Sequence, residues 1–284
     1  MKVKLFVDAC GVDLSAKQVE ENNISLLYPY INFDNKDWES DCTWRKTDKD
    51  KFFDWYKQGK FATVSQPAMT IWKDEFEKTL VEGYDILFLS LSKRYCGGFK
   101  QASISKSLLS EKYPDRTFFV IDSGLTSTGY KLLALKTAEL LKTENTLEDV
   151  VNIITKDYIG RLQTYWVCKN LNCVTFMSRG SDNFDINNVP KGSPLMATDF
   201  EGSFGAVGVC KDEEETYQLL LTKLGDVKEY EISYSPDYPK EEIIKISNDL
   251  EKKLGIKVGH EISWMAPTNT AIAGPYSYSV GVYR

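Results

Sequence analysis

Histidine is almost missing from this 284-residue sequence, which carries a single one, His260. A Ser-His-Asp hydrolase or a Cys-His protease would have to be built around it. His260 lies in Lys257–Ser263, an alternating run that reads as a strand, so a structural role is expected for it. The cysteines Cys10, Cys42, Cys96, Cys168, Cys173 and Cys210 contain no Cys-x-x-Cys pair. A structural zinc site therefore lacks its usual ligand spacing; no metal is expected, and all six thiols are expected to be reduced. A basic surplus is absent too: 35 basic residues face 41 acidic ones, for a net charge of −6. That balance argues against a binder of phosphate backbones, so nucleic acid is not an expected partner. No apolar run approaches the ~18 residues needed to span a bilayer, and no stable membrane insertion is expected. Met1–Asp8 does not read as a signal peptide, because Asp8 interrupts the apolar run and no small-residue cleavage site follows; the expected compartment is the cytoplasm. The Gly-x-Gly-x-x-Gly and Walker spacings are missing as well, and no cofactor is expected.

The chain does have ample core material, with 42% hydrophobic and 13% aromatic residues, enough for one large domain or two ordinary ones. Up to about residue 160, short apolar runs alternate with helical patterns. Strands are expected over Val3–Val7, Ile24–Asn32 (with Pro29 marking an edge or kink), Asp85–Leu91 and Arg116–Ile121. Helices are expected over Leu14–Glu21, Lys51–Lys57, Met69–Val81, Gly98–Ser110, Ser127–Leu141 and Glu144–Tyr158, with Ile71, Phe76 and Leu80 forming the apolar face of the third. Asp34–Asp50 reads as a surface loop. Strands separated by long helices imply parallel crossovers and a sheet covered on both faces. Beyond residue 160, strands over Gln163–Lys169, Gly205–Cys210, Val227–Tyr234, Ile256–Trp264 and Tyr276–Tyr283 alternate with helices over Lys211–Lys223 and Pro239–Leu254. These strands read as half-exposed, and Ser181–Lys191 as the loosest stretch. The expected fold class is α/β in two domains. Residues 1–160 form the first, with a mainly parallel sheet flanked by helices; residues 161–284 form a smaller α+β domain.

Five segments carry candidate chemistry. Asp85–Ser92 runs into Lys93-Arg94-Tyr95-Cys96-Gly97-Gly98 and then a helix, a strand–turn–helix whose backbone N–H groups suit an anion as well as a plain turn. Ser65, in Val64-Ser65-Gln66-Pro67, and Ser123, in Ile121-Asp122-Ser123-Gly124, stand where helix caps are expected. Asp8 and Asp13 share the first strand–helix turn, as a carboxylate pair or as caps. Ala266-Pro267 to Ala273-Gly274-Pro275 is a small, apolar stretch whose backbone suits close approach to another group.

In this order and spacing, the five segments resemble the DegV family of bacterial fatty-acid-binding proteins. Asp8-Ala9 and Asp13-Leu14 match its opening Asp-Ser and Asp-Leu. Val64-Ser65-Gln66-Pro67 matches its Thr-Ser-Gln-Pro, Ser92 to Gly98 its Ser-Ser-x-Leu-Ser-Gly-Thr, and Ile121-Asp122-Ser123 its Ile-Asp-Ser. Met177-Ser178-Arg179 and Ser193-Pro194 are weaker echoes. Ala266-Pro267 and Ala273-Gly274-Pro275 match the closing motif. The resemblance implies a long-chain fatty acid held in a cleft between two domains and presented to a separate fatty acid kinase, with no chemistry by the binder itself. The ligand-binding positions it implies are Val64, Ser65, Ser92, Lys93, Cys96, Gly97, Gly98, Ile272 and Ala273. Several depart from the family: Val64 replaces a threonine, Lys93 a serine, Cys96 and Gly98 a serine and a threonine, and Ile272 a histidine. Lys93 is therefore the expected carboxylate partner. Burying ~14 methylenes contributes at most about 11 kcal/mol, against roughly 1.5–3 kcal/mol for one charge-assisted hydrogen bond, so a lipid tail outweighs changes at its head. Two other readings stay open: a diverged amphiphile carrier without a kinase, and a small-molecule enzyme using Asp8, Asp13 or Asp122.

Overall fold

The computed structural model describes residues 2–143, 145–169, 192–199 and 202–284. Cys173, Met177–Arg179 and Ser181–Lys191 lie outside the described residues. The parallel sheet forms from β1 (Val3–Asp8), β2 (Ile24–Leu27), β6 (Asp85–Ser90) and β7 (Phe118–Asp122), in the order β2-β1-β6-β7. Side chains alternate across it. Phe6 and Phe88 face α3 (Met69–Val81) and α4 (Gly98–Lys112), meeting Trp72, Phe76, Leu80 and Leu109. Leu5, Val7, Leu87 and Leu89 face α5 (Ser127–Leu141) and α6 (Leu147–Ile153). The buried face of α3 is Trp72-Phe76-Leu80, spaced by four; Ile71, expected on that face, is 47% exposed. A short α1 (Ala16–Glu21) is closed by a Ser15/Gln18 capping box. The helix expected to run to Tyr158 ends at Ile153 and continues as one π-helical turn, Ile154–Tyr158.

Pro29 does more than kink a strand. It separates β2 from β3 (Tyr30–Phe33), which belongs to another sheet. β3 pairs antiparallel with β4 (Lys36–Glu39) and β5 (Thr63–Ser65), so part of the expected surface loop is a hairpin. The rest of that loop is anchored: Trp44 is buried beside Phe52 of α2 (Lys49–Lys57), and its indole N–H donates to Met265 O at 2.7 Å.

The last sheet runs β10-β9-β8-β13-β11-β12 and lies within residues 162–283. Its strands are β8 (Leu162–Val167), β9 (Ser193–Thr198), β10 (Phe204–Cys210), β11 (Glu229–Tyr234), β12 (Ser263–Trp264) and β13 (Tyr278–Tyr283). All pairings are antiparallel except β11 with β12. The sequence pattern does not mark β9, because Pro194 interrupts Ser193–Thr198. Of the expected strand Ile256–Trp264, only Ser263–Trp264 pairs, and His260 lies in irregular chain. The central strands are buried rather than half-exposed, because both faces are covered. α7 (Glu213–Leu224) and α8 (Lys240–Leu254) pack on one side, and α5 on the other. α5 is thus buried nearly all round between the two large sheets, as its apolar sequence requires. Gly281 in β13 lets the backbone of α5 come close: a Cβ there would lie 2.5 Å from Gly129 N. Inside this seam Lys131 pairs with Glu231 at 2.8 Å, both fully buried. No described helix is long and apolar enough to cross a membrane.

Candidate functional site

The chain folds so that the turns after β1 and β6, at the carboxyl ends of parallel strands, open onto one cavity of about 450 Å³. Ligands of open parallel sheets sit at such strand ends. The turns contribute Cys10, Leu91, Arg94, Tyr95, Cys96 and Gly97; β5 and the residue after it contribute Thr63, Val64, Ser65 and Gln66. Thr126 closes one side. Trp166 of β8, Phe204 of β10, and Asn269 and Ile272 of the short helix α9 (Pro267–Ala273) close the other. The stretch around α9, whose backbone is expected to approach another group closely, is a buried helix with Pro267 in its first turn.

Tyr95, Phe204 and Trp166 form an aromatic chain along the cavity, with ring centroids 6.3 Å and 4.9 Å apart and edge-to-face geometry. Among the described residues lining the cavity, Arg94 is the one with a formal charge. Arg94 and Tyr95 are exposed at its rim. Burial and the nearby Asp199 push the Tyr95 phenol up, so it stays protonated.

Five of the nine expected binding residues line the cavity: Val64, Ser65, Cys96, Gly97 and Ile272. Four do not. Ser92 is buried beneath the turn, with Oγ donating to Gly202 O at 2.8 Å. Lys93 points away, its ammonium 3.5 Å from Asp122 and its backbone N–H 3.1 Å from the same carboxylate. Ala273 packs with Trp166, Met196 and Met265. Gly98 has a steric reason: a Cβ would lie 2.4 Å from Asp8 Oδ2, so only glycine lets α4 start this close to β1. Arg94 and Tyr95 stand inside the turn the sequence marks, but Trp166 and Phe204 come from a different sheet and carry no local signal.

The aspartates of the first turn divide. Asp13 accepts from Ala266 N (2.7 Å), Asn269 Nδ2 (2.6 Å) and Ser127 Oγ, tying α1, α5 and α9 together. Burial holds it near pKa 6 against those donors. Asp8 lies under the cavity wall, accepting from Cys10 N at 2.9 Å and from the Cys96 thiol at 3.6 Å. Burial is the largest influence on it and lifts it to about 7. The Cys96 sulfur also accepts from Gln66 Nε2 and from Gly98 N at 3.4 Å. Cys10, Cys42, Cys96, Cys168 and Cys210 are free thiols, and no metal-holding cluster of His, Cys, Asp or Glu exists among the described residues.

Fold and site together define an α/β protein with a largely apolar cavity at the carboxyl ends of a parallel sheet. Residues 2–178 match the family model described as "Uncharacterised protein, DegV family", and the chain belongs to that family. A DegV domain-containing protein of Clostridium perfringens is 22% identical over 224 residues, 78% of this chain and 76% of that one. Among solved structures, a stearic acid-binding protein from Eubacterium ventriosum superposes with TM-score 0.85 at 19% identity, covering 99% of this chain and 98% of the other. DegV of Bacillus subtilis, described as a fatty acid binding protein, gives 0.81 at 17% identity with both chains fully covered. A fatty-acid-binding DegV family protein from Thermus thermophilus gives 0.82 at 18% identity, covering 100% and 99%. At these identities the likeness establishes the fold.

Proposed function

We infer that this protein binds a long-chain fatty acid, with its carboxylate at Arg94 and its tail along Val64, Leu91, Trp166, Phe204 and Ile272. One observation carries the reading: the cavity is walled mainly by apolar and aromatic side chains, and among its described lining residues the formal charge is a cation at the rim, Arg94. A pocket of that kind suits a long apolar body with a single anionic end. Solved relatives described as holding stearic, vaccenic or heptadecanoic acid support it. Arg94 thus takes the role expected of Lys93.

The division into a 1–160 unit and a 161–284 unit, with the ligand in the cleft between, belongs to the same proposal. Its support is that the cavity takes residues from both large sheets. So does presentation of the carboxylate to a partner kinase: Arg94, Tyr95 and Gly97 are exposed, which leaves the head group within a partner's reach. On this reading the protein is a carrier.

The test is native mass spectrometry of protein purified from its expression host, followed by titration with palmitate. A co-purified long-chain fatty acid, or saturable one-to-one binding, is the expected result. Protein that is empty and does not bind palmitate overturns the reading.

A further inference from the structure

Cys96 combines three features that carriage of a fatty acid does not need. It lines the cavity at the end that carries Arg94. Its thiol donates to a fully buried carboxylate, Asp8, at 3.6 Å. That carboxylate is in turn held by the N–H of Cys10 at 2.9 Å. A nucleophile, a base within hydrogen-bond reach and a group orienting the base are the parts of covalent catalysis. The sulfur sits just before the first turn of α4, where the N–H groups of Gly98 and Gln66 point at it and stabilise charge developing there.

We propose that Cys96 is an acyl-acceptor site: with Asp8 as general base, it takes a long-chain acyl group from an acyl thioester and holds it as an S-acyl cysteine inside the cavity. The inference rests on the cavity taking a long acyl chain. In the step, the Cys96 sulfur attacks the thioester carbonyl as Asp8 accepts the thiol proton. The tetrahedral intermediate then collapses, the carbon–sulfur bond to the donor breaks, and the departing thiolate takes the proton from Asp8. One thioester and one thiol are consumed, one of each is formed, and no oxidant or reductant is required. Burial lifts Asp8 to about 7, so the carboxyl exchanges its proton near neutral pH.

The experiment incubates the full chain with palmitoyl-coenzyme A in the presence of a phosphine reductant and reads intact mass, followed by peptide mapping. Wild type should gain one palmitoyl group on Cys96, removable by neutral hydroxylamine, and Cys96→Ser should gain none. Asp8→Asn should acylate roughly a hundredfold more slowly. Palmitate binding by native mass spectrometry, measured on each variant, shows that the cavity has kept its shape. Wild type that binds palmitate but stays unacylated overturns the inference and leaves the carrier reading standing. A label on another residue, or Asp8→Asn acylating at the wild-type rate, also overturns it. Protein that neither binds palmitate nor becomes acylated removes both.

Discussion

The ammonium of Lys93 lies 3.5 Å from Asp122, and the backbone N–H of Lys93 donates to the same carboxylate. Asp122 ends β7 and also accepts from Gly124 N at 3.1 Å, so it organises two neighbouring turns and draws Lys93 outward. The next residue, Arg94, is the one that lines the cavity.

Arg94→Met is therefore expected to weaken palmitate binding by roughly tenfold to a hundredfold, the equivalent of about 1.5–3 kcal/mol. An uncharged fatty alcohol of equal length should lose much less. Lys93→Met should leave both nearly unchanged, because its exposed pair with Asp122 contributes little. Calorimetric titration of both ligands against both variants checks this; equal losses for acid and alcohol in Arg94→Met would assign Arg94 to packing rather than charge recognition.

Lys131 and Glu231 are a buried pair joining α5 to β11, and the second Glu231 oxygen meets His260 Nδ1 at 2.6 Å. Removing Lys131 leaves the buried Glu231 carboxylate with the partly exposed His260 imidazole in place of a buried ammonium. Lys131→Met should cost about 3–5 kcal/mol, and adding Glu231→Leu should recover much of the loss. Urea unfolding of the single and double variants measures it.

Asp8 should make stability fall as pH rises above about 4. Asp8 is faced by Cys10 in its own turn, Cys96 and Gly98 at the start of α4, Gln66, and Tyr130 of α5, with no cation among these contacts. Its folded pKa of about 7 stands above the ordinary 3.8, so the folded state holds the proton more tightly. Folding is then progressively penalised from about pH 4 to pH 7. His260 works in the same direction: the hydrogen bond its Nδ1–H donates to Glu231 raises it, so its stabilisation is present at low pH and lost above its folded pKa. Asp8→Asn should raise stability by only about 1 kcal/mol near pH 4.5 and by about 4 kcal/mol at pH 8. Unfolding at the two pH values decides; an equal change at both would show that burial does not penalise the Asp8 charge.

Gly281→Ala should destabilise by about 1–3 kcal/mol, since the new methyl meets the Thr128–Gly129 backbone at 2.5 Å and a helix backbone yields little. Gly97→Ala provides the contrast: its Cβ would meet nothing within 4 Å and its φ is −74°, so melting should barely change. Thermal melts of the two proteins test the pair.

What was legible in the chain was local. The apolar runs Val3–Val7 and Asp85–Leu91, and the helical spacing of Met69–Val81 and Ser127–Leu141, report period and length, which depend on neighbouring residues alone. The strand–turn–helix around Cys96 could be placed for the same reason, and an ordered set of such segments pointed to the family. Tertiary structure decided the rest. Pro29 marks a break, but only the fold sends β3 to a different sheet from β2. Nothing near Trp166 or Phe204 signals that they close a cavity built around Cys96, because β8 and β10 reach it across the α5 seam. The proposed carboxylate partner turns on one residue: Lys93 and Arg94 are adjacent cations of similar reach. Which of them faces the cavity depends on Asp122, about thirty positions away in the chain, holding Lys93 outside.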